Sequence, residues 1–379
     1  MGYIRNGYSV HCVTSDRYVK QIQTFCLENN IPGLHFYFSG IAELKSTKNI
    51  PLVGEYIHYY LWLIKARKKV KQVAAENVFT HAHHVTFSSI KFGTPLYNLH
   101  MKVVLGPLGG GALPDGSLKK YLGSNYYFEL FKYMMGDFLS YINPTVRSSI
   151  KSADCILVSN DIAAAIIKKY STIQVCKMFD AGLSDNFEMP FKERSLSGIV
   201  NILWIGGIVP RKGLNLAIEA VAHLPAYVNF HFHIVGDGPL KSDAEALVRL
   251  LNLQDKVTFT GKLSYDLLEP VFEKSHLLLF PSLIDSCPMQ VFESMAYGLP
   301  VVTLNHQGMK EQVTVHTGVK VEVNSHQKDY PKVLAQAVML VIADEETYRQ
   351  LSLNAYTFGQ QQLWKNRILN FIEKSLEEV

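Results

Sequence analysis

The second half of the chain alternates short β-branched or aromatic runs with helical stretches. The runs are IVNILWIG (199–206), VNFHFHIVG (228–236), VTFTG (257–261), LLLFP (277–281) and PVVTL (300–304). Between them apolar residues recur at three- and four-residue spacing, as in Leu214, Ile218, Val221 and in Ala244, Leu247, Leu250. Strands that are apolar along their whole length must be covered on both faces, and amphipathic segments between them supply the cover, so the pattern specifies a parallel sheet between helices, a Rossmann-like half. The first half repeats the theme less regularly. Strands are expected at YSVHCVT (8–14), LHFYF (34–38), VFTHA (78–82), KVVLG (102–106) and CILVS (155–159), with long helices over 51–76 and 124–142. The polar, aperiodic NFEMPFKERSLSG (186–198) reads as a linker.

The expected architecture is therefore α/β, with two facing Rossmann-like domains, 1–190 and 199–360, and a closing amphipathic helix, 361–379, that packs back on the first domain. Ligands of open α/β sheets sit at the carboxyl ends of the strands, so a cleft between the halves is the expected site. Length agrees: 379 residues at roughly 150 per domain allow two or three domains. The opening RNGYSVHCVTSD reads as the second strand of a Rossmann half, and the first strand with its glycine turn is not in view, so the chain reads as short by about one strand.

Composition removes several classes. With 48% hydrophobic and 18% charged residues the chain is neither disordered nor collagen-like, and 37 Lys+Arg against 33 Asp+Glu makes no basic stripe for nucleic acid. Five scattered cysteines without CxxC or Cys/His spacing read as reduced thiols of a cytoplasmic protein, with no metal site. No apolar run approaches the ~20 residues of a membrane span, and the N-terminus lacks a signal-peptide core.

Three strand-to-helix turns carry chemistry. In WIGGIVPRKGL (204–214), Gly206 and Gly207 permit close approach of a ligand, and Arg211 with Lys212 sets positive charge where a helix begins. This is a phosphate-binding turn or a solvated basic turn, and it is not a Walker loop. HIVGDGPLKSD (233–243) shows GxG, but Pro239 breaks the dinucleotide fingerprint, leaving a tight structural turn or a ligand contact. In FPSLIDSCPMQVFESMAYGLPVV (280–302), Asp285 and Ser286 lie on a loop, Pro288 suits the first position of a helix running to Gly298, and Glu293 falls on its second turn. Free amides around Met289 and Gln290 suit phosphate oxygens, and the carboxylates suit sugar or ribose hydroxyls, the alternative being that Glu293 pairs with a neighbouring helix.

These stretches and NHQGMKEQV (305–313), in this order over about 110 residues, resemble the C-terminal domain of the family-4 retaining glycosyltransferases with the GT-B fold. HHVTFSS (83–89, read around the cluster at 80–87) and GPLGGG (106–111) resemble a subgroup linked to bacterial surface polysaccharides. The resemblance implies a metal-independent hexosyl transfer from a nucleotide-sugar, UDP or GDP type, to a saccharide or lipid-linked acceptor. It places Lys212 on the diphosphate, Glu293 on the ribose and Asp285 at the transferred sugar. It sets His83 or His84 beside the reacting centre, and Gly109, Gly110 and Gly111 at an acceptor or phosphate loop. No cofactor is implied, and no Asp-x-Asp occurs in the chain. Gly207 stands where the family usually has Arg, Asp285 is one methylene shorter than the usual Glu, and Ala112 stands where the subgroup often has Glu. A sugar-nucleotide epimerase or hydrolase, or a non-catalytic binding subunit, are the alternatives on the same scaffold.

Two stretches bear on membranes. Val53, Ile57, Tyr60, Leu61 and Ile64 line one expected helix face that ends in KARKKVK, a peripheral contact with anionic lipid at the cytoplasmic face or an ordinary packed helix. Region 121–141 holds eight aromatics, which either pack as a core or meet a lipid-linked acceptor.

Overall fold

The computed structural model describes residues 2–40, 54–85, 87–110, 113–173, 175–327 and 329–373. It divides into two compact units, Met1–Gly109 with Gly136–Asp180 and Ile368–Val379, and Gly110–Met135 with Ala181–Arg367.

In the first unit, β1 (Val10–Ser15) pairs with β2 (Leu34–Ser39) in a parallel two-stranded sheet. A second parallel sheet has the order β3 (His81–His84), β4 (Lys102–Leu108), β5 (Cys155–Val158), β6 (Val175–Lys177). Alternation of side chains along a strand sorts its core into two layers. Val103 and Leu105 of β4 and Ile156 and Val158 of β5 join Val70, Ile150 and Ile167 on one face, while Val104, Cys155 and Leu157 meet Phe371 and Ile372 on the other. The end of the closing helix (Trp364–Phe371) is thereby tied to this unit.

The second unit is a six-stranded parallel sheet of β7 (Val200–Ile205), β8 (Phe230–Val235), β9 (Val257–Gly261), β10 (Leu277–Leu279), β11 (Val301–Asn305) and β12 (Gly318–Glu322), in the order β12-β11-β10-β7-β8-β9. Trp204, Phe232, Leu278 and Val302 are fully buried at its centre. Strand order runs outward from β7 to β9, then reverses at β10, so the switch point lies between β7 and β10.

Five strands in this unit and four in the first fall where the apolar runs are, while β3 begins three residues into VFTHA and shares only His81 and Ala82 with it. The sheet-edge strands β6 and β12 are not foreseen: VCK has three residues and GVKVE is half polar, as edges tend to be. Residues 110–135, expected within the first domain, belong to the second unit, where Leu118 and Leu122, one helical turn apart, are buried in the core of the six-stranded sheet.

The helix Gly54–Glu76 turns a different face inward from the one that carries Ile57, Tyr60 and Ile64. Tyr59, Trp62, Leu63, Ala66, Val70 and Val73 are buried, and Ile57, Tyr60 and Ile64 are exposed; Val53 lies outside the described residues. Trp62 decides the rotation by bringing the largest apolar surface inward, where its indole N–H donates to the Ser39 carbonyl at 3.0 Å. Within KARKKVK, Arg67 is an internal residue, donating to the Pro95 and Tyr97 carbonyls at 3.1 and 2.8 Å.

Candidate functional site

Three loops at the carboxyl ends of β7, β10 and β11 converge at the switch point. After β7 the chain forms a short 3-10 turn, Pro210–Lys212, before the helix Leu214–Ala222. The Arg211 carbonyl accepts the Leu283 and Ile284 N–H groups at 2.8 and 3.2 Å and the Ser282 hydroxyl at 3.1 Å, which stitches this turn to the loop after β10. Gly213 makes the approach possible: its φ is +67°, and a Cβ there would collide with the Pro281 carbonyl. The loop after β11 joins from the other side, where the Gln307 side-chain carbonyl accepts the Asp285 N–H at 2.9 Å and the Gly308 N–H donates to the Asp285 carbonyl at 2.9 Å. A Cβ on Gly308 would strike the Ser286 carbonyl, so this contact too requires glycine.

The stitched loops bring Lys212 and Asp285 into an ion pair, with side chains 8% and 12% exposed. The Lys212 ammonium also lies 5.2 Å from the centre of the Phe280 ring, and Arg211 Nη1 is 3.8 Å from the same Asp285 Oδ2. Burial draws the Lys212 pKa below the ordinary lysine value, and Asp285 pulls it back up. A cation so held is pre-positioned at low entropic cost, with one carboxylate as its present partner.

The helix Met289–Ala296 begins one residue after Pro288, which serves as its N-cap in extended conformation. The N–H groups of Met289 and Gln290 head this helix and have no partner inside it. Glu293 is 8% exposed, and burial pushes its carboxyl up to about 7, against the opposing pull of a Tyr265 hydroxyl hydrogen bond. Gly206 continues the β7 ladder by donating to Val235, and a Cβ on Gly207 would meet nothing within 4 Å. The Asp237 turn is a structural one: the Asp237 carboxylate accepts the Gly238 N–H at 2.8 Å and its carbonyl accepts the Ile208 N–H at 2.9 Å.

Gln307 and Tyr265 are site residues that sequence reasoning did not single out. Gln307 has φ +49°, is 8% exposed, and keeps a buried side-chain N–H2 without a hydrogen-bond partner. A left-handed glutamine leaves no mark on spacing or periodicity, because nothing but the fold forces that conformation.

Of the remaining expected residues, His83, His84 and Gly109 lie in the first unit, where each has hydrogen-bond partners, and Gly110 belongs to the second. The His83 ring uses both nitrogens: Nε2 donates to the Gly106 carbonyl at 2.7 Å, and Nδ1 accepts the Tyr3 hydroxyl at 2.6 Å. Burial lowers its pKa to about 4, so it is a neutral ring with both nitrogens engaged. His84 is likewise lowered to about 4 by burial, with Nε2 at 3.2 Å from the Tyr59 hydroxyl. The Gly109 N–H donates to the Ser88 carbonyl at 2.7 Å and is therefore not offered to a ligand; Gly110 has φ +78° with no neighbour within 4 Å of a Cβ, and Gly111 lies outside the described residues.

Residues 185–358 match the family model described as Glycosyl transferases group 1, a span that holds every residue of the switch-point cluster. The chain is similar to 2-deoxystreptamine glucosyltransferase of Streptomyces kanamyceticus, 36% identical over 29% of each chain. It is also similar to the putative colanic acid biosynthesis glycosyltransferase WcaL of Escherichia coli, 25% identical over 46% of this chain and 45% of that one. The alignments to the first curated relatives span less than half of those proteins' lengths. Among solved structures, sucrose-phosphate synthase from Thermosynechococcus elongatus superposes with a TM-score of 0.63 at 17% identity over 100% of this chain and 90% of that chain. Anabaena HepE in complex with UDP gives 0.61 at 16% over 95% and 90%. The fold is GT-B, two α/β units with parallel sheets.

Proposed function

We propose that this GT-B protein is a retaining glycosyltransferase, moving a hexosyl unit from a nucleoside diphosphate sugar to a hydroxyl of a saccharide or lipid-linked acceptor, without a metal ion, in surface polysaccharide biosynthesis. The observation that carries the reading is the meeting of Arg211, Lys212 and Asp285 at the strand-order reversal of the six-stranded sheet, with Glu293 on the helix that follows. The WcaL likeness supports the polysaccharide setting, and the UDP complex of HepE supports a nucleotide ligand for this fold.

Breaking the anomeric C–O bond loads negative charge onto the departing diphosphate. Lys212 exchanges Asp285 for that diphosphate, with Arg211 and the Met289 and Gln290 amides as further donors, and stabilises the charge as it develops. Asp285, released from the ion pair, accepts a hydroxyl of the sugar, and the Glu293 carboxylate accepts the ribose diol. Gln307, bonded to the Asp285 N–H, holds that loop in place. The acceptor oxygen bonds to the anomeric carbon on the face the diphosphate leaves, and its proton passes to the departing phosphate oxygen, so no protein base is required.

The test is a thermal-shift screen of UDP-, GDP- and ADP-sugars, followed by transfer assays and NMR of the product's anomeric configuration. A donor at 100 times its Kd adds about 2.7 kcal/mol of stability. Retained configuration with turnover in chelator is the expected result. Failure of every donor to bind, or an inverted product, refutes the reading; free sugar or isomerised donor formed without acceptor points to the hydrolase or epimerase alternative.

A further inference from the structure

Glu293 is the only charged side chain of the helix Met289–Ala296, and Val291, Phe292, Ser294, Met295 and Ala296 around it are all buried. A carboxylate offers two oxygens with room for about four hydrogen bonds, and burial removes the water that would otherwise make them. Among the described residues one donor reaches this carboxyl, the hydroxyl of Tyr265.

Tyr265 is brought there from a different element of the same unit. It opens the 3-10 turn Tyr265–Leu267 after β9, which is closed by the Leu267 N–H on the Ser264 carbonyl at 3.0 Å and the Leu268 N–H on the Tyr265 carbonyl at 3.1 Å. The residue is 52% exposed, yet its side chain is anchored by its ring as well as its hydroxyl. The ring meets that of Phe187 edge to face with centres 5.8 Å apart; Phe187 is buried and meets Tyr297, and the Tyr297 ring stacks on buried Phe272 at 4.9 Å. A half-exposed tyrosine could leave its hydroxyl in water at no cost, whereas this one is turned onto a desolvated carboxyl. Burial, with Glu293 and Tyr297 beside it, raises the Tyr265 phenol above its ordinary value, so the oxygen keeps its proton and stays a donor. One lone pair of the carboxylate is thereby used, and the others are left for a diol. A free glutamate loses several side-chain torsions when a ligand fixes it, and a donor already in place removes that cost from binding.

We propose that Tyr265 is a positioning residue for nucleotide binding, its hydroxyl holding the Glu293 carboxylate in the orientation that accepts the vicinal ribose hydroxyls of a nucleoside diphosphate. The inference rests on the reading of Glu293 as the ribose acceptor, and the experiment separates the two. The full chain, as wild type, Glu293→Gln and Tyr265→Phe, is titrated in a calorimeter with UDP and GDP and with their 2′,3′-dideoxy counterparts. The wild type is expected to prefer the ribose form by about a hundredfold, as two hydrogen bonds to a charged group allow. Glu293→Gln loses most of that preference. Tyr265→Phe loses about tenfold of it and binds the dideoxy nucleotides as the wild type does, with an unchanged melt because the ring is kept. In transfer assays Tyr265→Phe raises the donor KM about tenfold and leaves kcat within about twofold, since a ribose contact is made alike in the ground and transition states. A wild type that binds both forms equally, or binds neither nucleoside diphosphate, overturns the ribose reading of Glu293 and this role with it. A wild type that discriminates through Glu293, beside a Tyr265→Phe that discriminates as fully, overturns the positioning role alone. So does a Tyr265→Phe that weakens ribose and dideoxy forms alike, or whose kcat falls at unchanged KM.

Discussion

Replacing Lys212 by Met removes one charge of a buried ion pair while keeping the aliphatic stem against Phe280. Breaking such a pair from one side ordinarily costs 3–5 kcal/mol, because the surviving charge stays desolvated and unpaired. Here Arg211 Nη1, 3.8 Å from the same Asp285 oxygen and half exposed, takes over part of the load, so the expected loss is about 2–4 kcal/mol. For a unit of this size that lowers the Tm by about 5–12 °C. Adding Asp285→Asn removes the orphaned charge, and the double variant should recover to within about 1 kcal/mol of wild type. Turnover should behave differently. Lys212→Met costs about 2.7–4 kcal/mol of transition-state stabilisation, a factor of a hundred or more, by comparison with the loss of one oxyanion donor, and Asp285→Asn does not restore it. Thermal melts of the four proteins of the cycle, with transfer rates on each, provide the measurement. A double variant as unstable as Lys212→Met alone shows that the two residues are not coupled, and wild-type turnover in Lys212→Met removes the lysine from the site.

Glu293 gives the site a pH signature. Because its carboxyl is pushed up to about 7, UDP affinity measured by calorimetry should rise with pH through that value, and Glu293→Gln should flatten the profile. The native state holds a proton between about pH 4.5 and 7 that the unfolded chain has released, so this group's contribution to stability falls as pH rises through that window, and Glu293→Gln removes the slope in denaturant titrations. His83 works in the opposite sense: its folded pKa of about 4 lies below the unfolded 6.5, so its contribution is complete above 6.5 and is lost as pH falls toward 4. His83→Gln should weaken that acid sensitivity in melts and leave the transfer rate within about threefold; a hundredfold loss of rate with the fold intact contradicts the structural role. Gln307→Ala should destabilise by about 1–3 kcal/mol through the orphaned Asp285 N–H, and Gln307→Gly by about 1 kcal/mol less because glycine relieves the +49° φ; equal losses in melts would show that the conformation carries no strain.

Five strands of the six-stranded sheet, all but the edge strand β12, were legible because each is a short apolar run between amphipathic helices, and both ends of the Lys212–Asp285 pair were legible as polar residues at strand-to-helix turns. Their pairing was not, because 73 residues separate them and only the adjacency of β7 and β10 closes that gap. His83 and His84 were legible as histidines ending a strand, and only the tertiary packing supplies their partners Tyr3, Gly106 and Tyr59. Periodicity marks which side chains share a helix face, but what covers that face is a property of the assembled core. The aromatics of the helix Asn125–Ile142 could therefore be read along the chain while the exposure of Tyr127, Phe131, Phe138 and Tyr141 could not. Local pattern, a matter of residues within a turn or two of one another, determined the βα alternation, the turns and the types of residue set in them. Tertiary structure alone decided which charges meet, which partners the histidine rings find and which apolar face is left to water, because each depends on neighbours brought from far along the chain.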